Sequence, residues 1–263
     1  MKSTIRILTP CAVAAALVAC GGGGGSGGST PSASSSTTSV VSAATAQGLY
    51  TGTLTGGAST AFEMLLLENG DTWVLYGTPG ASSFLVRGFV QGTAAVTGSS
   101  FSAASVKDYG TVPPTSGTVS GTVSGPSVSG TVAEAGQSVT FTGTALTGAS
   151  YDYNTAATLA QVAGNWTLTG LDGTLSNVAI AADGTLTGNN VGCLLTGSVK
   201  PRASGKNVFD VTVTTGASPC LAPGTTSTGI AVSYLVNGTA LRQLVVAGIN
   251  AARTGGSAYF GVR

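Results

Sequence analysis

The sequence predicts an all-β protein built from two tandem antiparallel units, each of them a β-barrel or a β-sandwich. Its composition supports this class, because 41 of the 263 residues are glycine and only 7% are charged. Chains that combine many turn residues with many β-branched residues form strands rather than helices. Hairpin dipeptides at Asn69-Gly70, Asp183-Gly184 and Asn237-Gly238 then mark turns between strands.

An internal repeat indicates that the two units are related. Residues 43–50 and 156–166 both read Ala-Ala-Thr, then Ala-Gln, then glycine followed two positions later by an aromatic residue. The hairpin dipeptides at 69–70 and 183–184 follow at similar distances. Leu85-Val86-Arg87-Gly88 then corresponds to Leu194-Leu195-Thr196-Gly197. We therefore expect a duplication, with one unit at 43–150 and the second at 151–263.

The chain begins with the pattern of a secretory signal peptide. Lys2 and Arg6 precede an apolar run from Ile7 to Val18, and a positive start before a short apolar core is typical of such leaders. The run has about 12 residues, fewer than the roughly 20 that a membrane-spanning helix needs. Residues 1–19 are therefore predicted to be removed on export.

The exit from this run, Leu17-Val18-Ala19-Cys20, resembles the lipobox of bacterial lipoproteins. The resemblance implies cleavage before Cys20, lipid on its sulfur and acylation of its new amine, since several acyl chains anchor stably where one does not. Residues 20–42 are rich in Gly, Ser and Thr and predict a flexible tether with an end-to-end distance of about 25 Å. A lipobox followed by polyglycine resembles outer-membrane lipoproteins of Gram-negative bacteria, and Gly21 is consistent with that address.

The first unit is predicted to contain strands of alternating polarity. They lie at 62–67, 72–76, 83–90 and 101–106. Residues 116–132 repeat Ser-Gly-Thr-Val, which fits glycine-turned hairpins better than a short β-solenoid. The segment 138–145 is then expected to close the sheet.

The second unit is predicted to begin with a short helix. Asn154 or Thr155 caps it, Leu159 and Val162 share one face, and Gly164 ends it after Ala163. Eight antiparallel strands follow, at 165–170, 174–181, 184–189, 193–199, 207–215, 228–236, 240–249 and 257–263. Such a set can close into a barrel or fold as a sandwich.

A helix leading into Gly164-Asn165-Trp166 on a first strand resembles the lipocalins and the wider calycin barrels. The resemblance rests on this tripeptide and on the layout of the strands. It implies that a late arginine stacks on Trp166, and Arg253 and Arg263 are the candidates. The alternative is that Trp166 is an ordinary core residue.

Two cysteines, Cys193 and Cys220, remain beside Cys20 in the exported chain, because Cys11 lies in the leader. An even pair in an exported protein predicts a disulfide. Cys193 starts a predicted strand and Cys220 lies in the Pro219–Pro223 loop. One further predicted strand, 207–215, lies between them. A chain that runs out and back in this way can bring the two cysteines together.

The residue inventory excludes several classes of function. The chain has no histidine, so a Ser-His-Asp triad is absent, as is the commonest metal ligand. No Gly-Lys-Ser/Thr phosphate loop is present, and no cofactor or metal is expected. Removal of Lys2 and Arg6 leaves eight basic and nine acidic residues, without a basic patch, so no nucleic-acid partner is expected.

Two groups of residues remain as candidates for a site. Glu63, Glu68 and Asp71 cluster in sequence, but Glu63 and Glu68 face opposite sides of a regular strand and Asp71 follows a turn. Asp108-Tyr109 and Tyr151-Asp152-Tyr153 combine polar and aromatic groups, as binding surfaces do. For Tyr151 and Tyr153 we favour packing in the seam between the two units.

These observations favour a non-enzymatic lipoprotein anchored in the outer membrane, on its periplasmic or cell-surface face. Its membrane contact is the lipid on Cys20. Its other partner remains open among a protein, a glycan and a small apolar ligand, and a structural role without a ligand is a further alternative. The rival is a carboxylate-dependent hydrolase that acts on envelope polysaccharide.

Overall fold

The computed structural model describes residues 46–80, 83–236 and 239–263, all within one compact unit, Ser39–Arg263. The predicted leader 1–19, Cys20, the tether 20–42 and the Asn237-Gly238 turn lie outside the described residues. Seventeen strands and one short 3-10 helix make up the described part. Over the same residues, none of the helical structure has the length and apolar character to cross a bilayer.

The first unit is a closed barrel of eight antiparallel strands with one short additional strand. The strands are β1 (Gly48–Thr55), β2 (Ala61–Leu66), β3 (Asp71–Pro79), β4 (Phe84–Thr93), β5 (Ala95–Thr97), β6 (Ser100–Asp108), β7 (Thr115–Ser124), β8 (Ser127–Glu134) and β9 (Gln137–Ala145). β9 pairs with β1, and β6 pairs with β4 through Val90 and Asp108, which completes the ring. β5 pairs with β6.

The serine-rich stretch at 116–132 folds as a hairpin. Strands β7 and β8 meet at Gly125, whose φ of +57° suits a tight turn. The hairpin prediction is therefore confirmed, and the β-solenoid alternative is wrong. The segment predicted to close the sheet, 138–145, is β9 and does close it.

The second unit is a closed eight-stranded barrel with a simple up-and-down order. Its strands are β10 (Gly164–Gly170), β11 (Leu175–Ile180), β12 (Thr185–Asn190), β13 (Cys193–Pro201), β14 (Phe209–Thr215), β15 (Thr226–Leu235), β16 (Arg242–Asn250) and β17 (Gly256–Val262). Each corresponds to a predicted strand, with its ends shifted by two residues or fewer. β17 returns to β10 through Phe260 and Thr169.

The helix that precedes the second barrel is shorter than predicted. It is a 3-10 helix over Leu159–Gln161 capped by Thr158, whose amide donates to the Gln161 side chain at 2.9 Å. Asn154 and Thr155 do not cap it, because both contact the Asp152 carboxylate instead. Leu159 and Val162 do pack together against the barrel core, as expected.

Equivalent hairpins support an internal repeat. The turn between β2 and β3 has Gly70 at φ +86°, and the turn between β11 and β12 has Gly184 at φ +87°. The Ala94 amide donates to the Gly70 carbonyl at 2.8 Å, and the Val199 amide donates to the Gly184 carbonyl at 2.8 Å. The two turns thus occupy the same place in the two barrels, and the tandem barrels fit a duplication.

The predicted match of Leu85–Gly88 with Leu194–Gly197 is displaced by four residues in the structure. Gly92 on β4 pairs with Thr72, and Gly197 on β13 pairs with Leu186. Thr72 and Leu186 each lie two residues after the turn glycine of their own barrel. Gly197 therefore corresponds to Gly92 rather than to Gly88.

The largest core of the protein lies between the two barrels. Even-numbered residues of β2 and β3, such as Met64 and Val74, fill the first barrel. The odd-numbered neighbours Leu65, Trp73 and Leu75 face outward and pack against β15–β17. Because these strands are apolar on both faces, they serve two cores at once.

The predicted seam residues lie in this core. Tyr151 and Tyr153 are 3% and 5% exposed and belong to the inter-barrel cluster, so their predicted packing is confirmed. Tyr109 is buried there as well and stacks on Phe89, with ring centroids 4.9 Å apart. These tyrosines are therefore packing residues and do not form an exposed binding surface.

Candidate ligand cavity in the second barrel

The second barrel encloses a cavity of about 100 Å³. Its wall is formed by inward-facing residues of the strands, which alternate with outward-facing residues along β11 and β12. Most of the wall is aliphatic, with Leu168, Val178, Ile180, Leu186, Val211 and Leu244 among the lining residues. The cavity is therefore suited to an apolar molecule.

One end of this barrel is closed by the segment that precedes β10. Val162 is fully buried in the barrel core beside Trp166, whose indole N–H donates to the Val162 carbonyl at 2.7 Å. The guanidinium carbon of Arg263 lies 4.1 Å from the centre of the Trp166 ring. Of the two candidates, Arg263 is therefore the arginine that stacks on Trp166. Arg253 instead donates to the Gln91 carbonyl.

The polar part of the cavity wall lies toward the opposite end. Ser176, Ser227 and Ser257 occupy the strand ends there, together with Thr215. Ser176 has no exposed surface, and its hydroxyl has no hydrogen-bond partner. An unpaired buried hydroxyl costs about 1–3 kcal/mol. A ligand that hydrogen-bonds to Ser176 can recover this free energy.

The predicted disulfide lies at the same end. Cys193 at the start of β13 is bonded to Cys220 in the loop between β14 and β15, with Cα atoms 4.6 Å apart. The loop is also fixed to β14, because the Gly224 amide donates to the Thr215 carbonyl and the Thr225 amide to its hydroxyl. The pairing confirms the sequence prediction and holds this loop at the cavity end.

The carboxylates that cluster in sequence do not share a cleft. Glu68 binds Arg202 at 2.7 Å. Burial raises the pKa of the Glu68 carboxyl, but the Arg202 hydrogen bond and further contacts outweigh this effect, so the pKa is lowered overall. Asp71 accepts hydrogen bonds from Asn69 and Thr93 and so holds the β2–β3 turn.

Glu63 lies apart from both, in the seam between the barrels. It is 3% exposed, and its Oε1 is hydrogen-bonded to the hydroxyl of Tyr234 on β15. Its Oε2 has no partner. Burial raises the pKa of Glu63 to about 7, although the Tyr234 hydrogen bond acts in the opposite direction.

A second pair of carboxylates, missed by the sequence analysis, lies at one opening of the first barrel. Asp108 and Glu134 line a cavity of about 210 Å³ there. The Tyr76 hydroxyl donates to Asp108 at 2.7 Å, and the Thr115 hydroxyl donates to Glu134 at 3.1 Å. Burial and then the Asp108 charge raise the pKa of Glu134. Asp108 lies on β6 and Glu134 on β8, and both strands pair with β7. The registers of these pairings bring the two carboxylates together.

Within the described ranges, no three Cys, Asp or Glu side chains gather as a metal site. Comparison of the chain with protein-family models, curated proteins and solved structures finds no match.

Proposed function

We propose that this chain is a non-enzymatic lipoprotein of the Gram-negative outer membrane. A lipid on Cys20 anchors it, and its second barrel binds a small ligand with an apolar body and one hydrogen-bonding group. The observation that carries the ligand proposal is the unpartnered hydroxyl of Ser176, which faces an otherwise aliphatic cavity. The anchor rests on the sequence pattern around Cys20.

The cavity sets the size of the ligand. Engineered apolar cavities of about 150 Å³ take up benzene, and the cavity here is of the same order, at about 100 Å³. A molecule of this size gains about 25 cal/mol for each Å² of apolar surface that it removes from water. A single aromatic ring or a short branched chain fits this description, whereas a full acyl chain is too large.

The export of the chain is supported by two independent features. Residues 1–19 have the pattern of a leader. Cys193 and Cys220 form a disulfide, and disulfides persist in oxidising compartments such as the periplasm. Both features agree with a mature protein that works outside the cytoplasm.

The lining of the cavity supports binding rather than catalysis. Tyr259 is the titratable residue in its wall, and burial raises the pKa of that phenol. The rival function, a polysaccharide hydrolase, is favoured by the Asp108 and Glu134 pair in the first barrel. We place it second because the Tyr76 hydroxyl is bonded to both oxygens of Asp108, at 2.7 and 2.9 Å.

Two probes, phenol and toluene, test the ligand proposal by calorimetry on the mature protein. Wild type is expected to bind both probes. Ser176→Ala is expected to weaken phenol binding about fivefold and to leave toluene binding unchanged, since one hydrogen bond contributes about 1 kcal/mol. Val178→Phe fills the cavity and should abolish binding of both. Ala179→Phe, on the outer face of β11, is the matched control and should bind as wild type does. Equal loss of phenol and toluene in Ser176→Ala would show that the hydroxyl has no part in recognition.

A further inference from the structure

Four exposed aliphatic side chains surround the disulfide end of the second barrel. They are Leu175, Val191, Leu194 and Leu221, with exposures of 59%, 77%, 61% and 103%. Leu175 and Leu194 lie at the starts of β11 and β13, and Val191 and Leu221 lie in two connections at the same end of the barrel as Ser176. We call this group the apolar rim. Four highly exposed aliphatic side chains at one end of a barrel make that end a candidate interaction site.

Val191 is held in a conformation that a valine rarely adopts. Its φ is +48°, and it is followed by Gly192 at +86° in the turn between β12 and β13. A two-residue hairpin turn with positive φ at both positions favours Asn-Gly, and a β-branched residue at the first position is strained. Because Val191 is 77% exposed, burial of its side chain does not offset this strain, and the side chain stays available at the surface.

Leu221 is presented by a fixed loop. Its neighbour Cys220 is bonded to Cys193, and the Cys220 amide donates to the Ala217 carbonyl at 3.1 Å. The loop is therefore held in place while its leucine stays in solvent. A fixed, fully exposed leucine loses little conformational freedom when it enters an apolar phase.

The charges near the rim argue against an electrostatic partner. The connections that form this end carry Asp172 and Arg253, and the Arg253 guanidinium donates to the Gln91 carbonyl on the first barrel. Lys107 of the first barrel also reaches this end, where its ammonium donates to the Arg253 carbonyl at 3.1 Å, so both of these cations are engaged in contacts within the protein. Single apolar tips on separate loops suit a fluid layer of acyl chains better than a rigid groove, which would need a continuous complementary surface.

The length of the chain before the barrels permits contact with a membrane. This step rests on the proposed anchor at Cys20. The 26 residues from Cys20 to Thr45 can span at most about 90 Å, so the length of this segment does not restrict the bilayer to the face nearest to Thr45. Because the anchor keeps the local concentration of the rim high, a weak affinity suffices.

We propose that the apolar rim inserts into the bilayer in which Cys20 is anchored. The polar-lined end of the ligand cavity then lies against the lipid, and apolar molecules exchange between the acyl layer and the second barrel without crossing water. The proposal predicts binding by apolar insertion, which does not depend on anionic lipid.

The test uses the mature chain, residues 20–263, with Cys20→Ala so that no acyl group contributes. Its co-sedimentation is measured with vesicles of phosphatidylcholine, with and without phosphatidylglycerol. We expect equal partition into both vesicles and no loss in high salt. Leu221→Ser and Leu194→Ser should each reduce the partition coefficient about three- to tenfold, since each removes an inserting leucine.

Val191→Asn separates membrane insertion from folding. Asparagine tolerates positive φ, so this variant should have a higher melting temperature than the parent and yet a lower partition coefficient. Val262→Asn is the matched control, because Val262 is an exposed valine near the end of β17, at the end of the second barrel opposite the rim, and its partition should be unchanged.

Wild-type partition in the rim variants would overturn the proposal. So would a rim-dependent dimer in sedimentation, which would make the rim an interface between copies, or a partition that requires phosphatidylglycerol. None of these outcomes depends on acylation of Cys20, which a separate labelling experiment tests.

Discussion

The hydroxyl of Tyr234 on the second barrel is hydrogen-bonded to the buried carboxyl of Glu63 on the first. This contact places a titratable group inside the apolar seam that joins the two units. The second oxygen of Glu63 has no partner. Burial raises the pKa of Tyr151, a further tyrosine of the seam, and the charge of Glu63 adds to this effect. We therefore expect the stability of the seam to depend on pH.

Glu63 should make the protein less stable as the pH rises from about 4.5 to about 7. A carboxyl whose pKa is raised from 4.5 to about 7 on folding binds its proton more tightly in the folded state. Its contribution is complete below the unfolded pKa and is lost as the pH rises through the folded one. The full effect is roughly 3 kcal/mol. Denaturant unfolding across this range should show the decline, and Glu63→Gln should flatten it.

Glu68→Gln is the control, with the opposite sign. The pKa of Glu68 is lowered on folding, so its contribution is present at neutral pH and is lost as the pH falls through the folded value. Because Glu68 is partly exposed, we expect an effect of about 1 kcal/mol or less. A Glu63→Gln variant with the same pH profile as the parent would contradict the assignment.

Loss of the Cys193–Cys220 disulfide should destabilise the protein by roughly 3.5 kcal/mol, from the entropy of a 27-residue loop. The double variant Cys193→Ser/Cys220→Ser, compared with wild type under oxidising and reducing conditions, measures this. Reductant should lower the free energy of unfolding of the wild type and leave that of the double variant unchanged. Two alkylatable thiols in native exported protein would mean that the bond does not form.

Cys20→Ala should remove the acyl label and move most of the protein out of the membrane fraction, leaving only the weaker attachment proposed for the apolar rim. The reason is that the acyl chains on Cys20 supply the stable part of the attachment. Fractionation of cells labelled with palmitate measures both effects. A variant that still labels and still sediments with outer membranes would contradict the lipobox interpretation.

Gly184→Ala should destabilise the second barrel by about 1–3 kcal/mol, because a Cβ there would lie 2.2 Å from the Val199 carbonyl and φ is positive. Gly70→Ala should have a similar effect, since its Cβ would lie 2.5 Å from the Ala94 carbonyl. Gly173, with φ +80° and open space around it, is the control and should tolerate alanine with a smaller loss. Thermal unfolding of the three variants compares them.

Much of the fold could be predicted because the signals are local. Val178 and Ile180 alternate with Asn177 and Ala179, and this pattern defines β11 without reference to other strands. Closure of the first barrel could not be predicted in this way, since it depends on a short pairing of β4 with β6 at Val90 and Asp108. Barrel and sandwich therefore stayed alternatives at the level of sequence.

The candidate site was harder to predict than the fold. Two cysteines in an exported chain indicate a bond through composition alone. Ser176, by contrast, is one serine among many, and its significance depends on facing inward without a partner. The pairing of Asp108 with Glu134 likewise depends on the registers of three strands.

The seam joins non-equivalent faces of the two barrels, the second to fourth strands of the first and the last three of the second. Such a contact is heterologous, and identical barrels joined in this way would continue into a ring or an open filament. Most outward side chains on the corresponding faces away from the seam are polar, such as Thr118 and Thr142 on β7 and β9 and Asn177 and Thr187 on β11 and β12. The exposed Leu175 and Leu194 lie only at the rim end of β11 and β13. This mostly polar surface disfavours the addition of a further barrel through the same kind of contact.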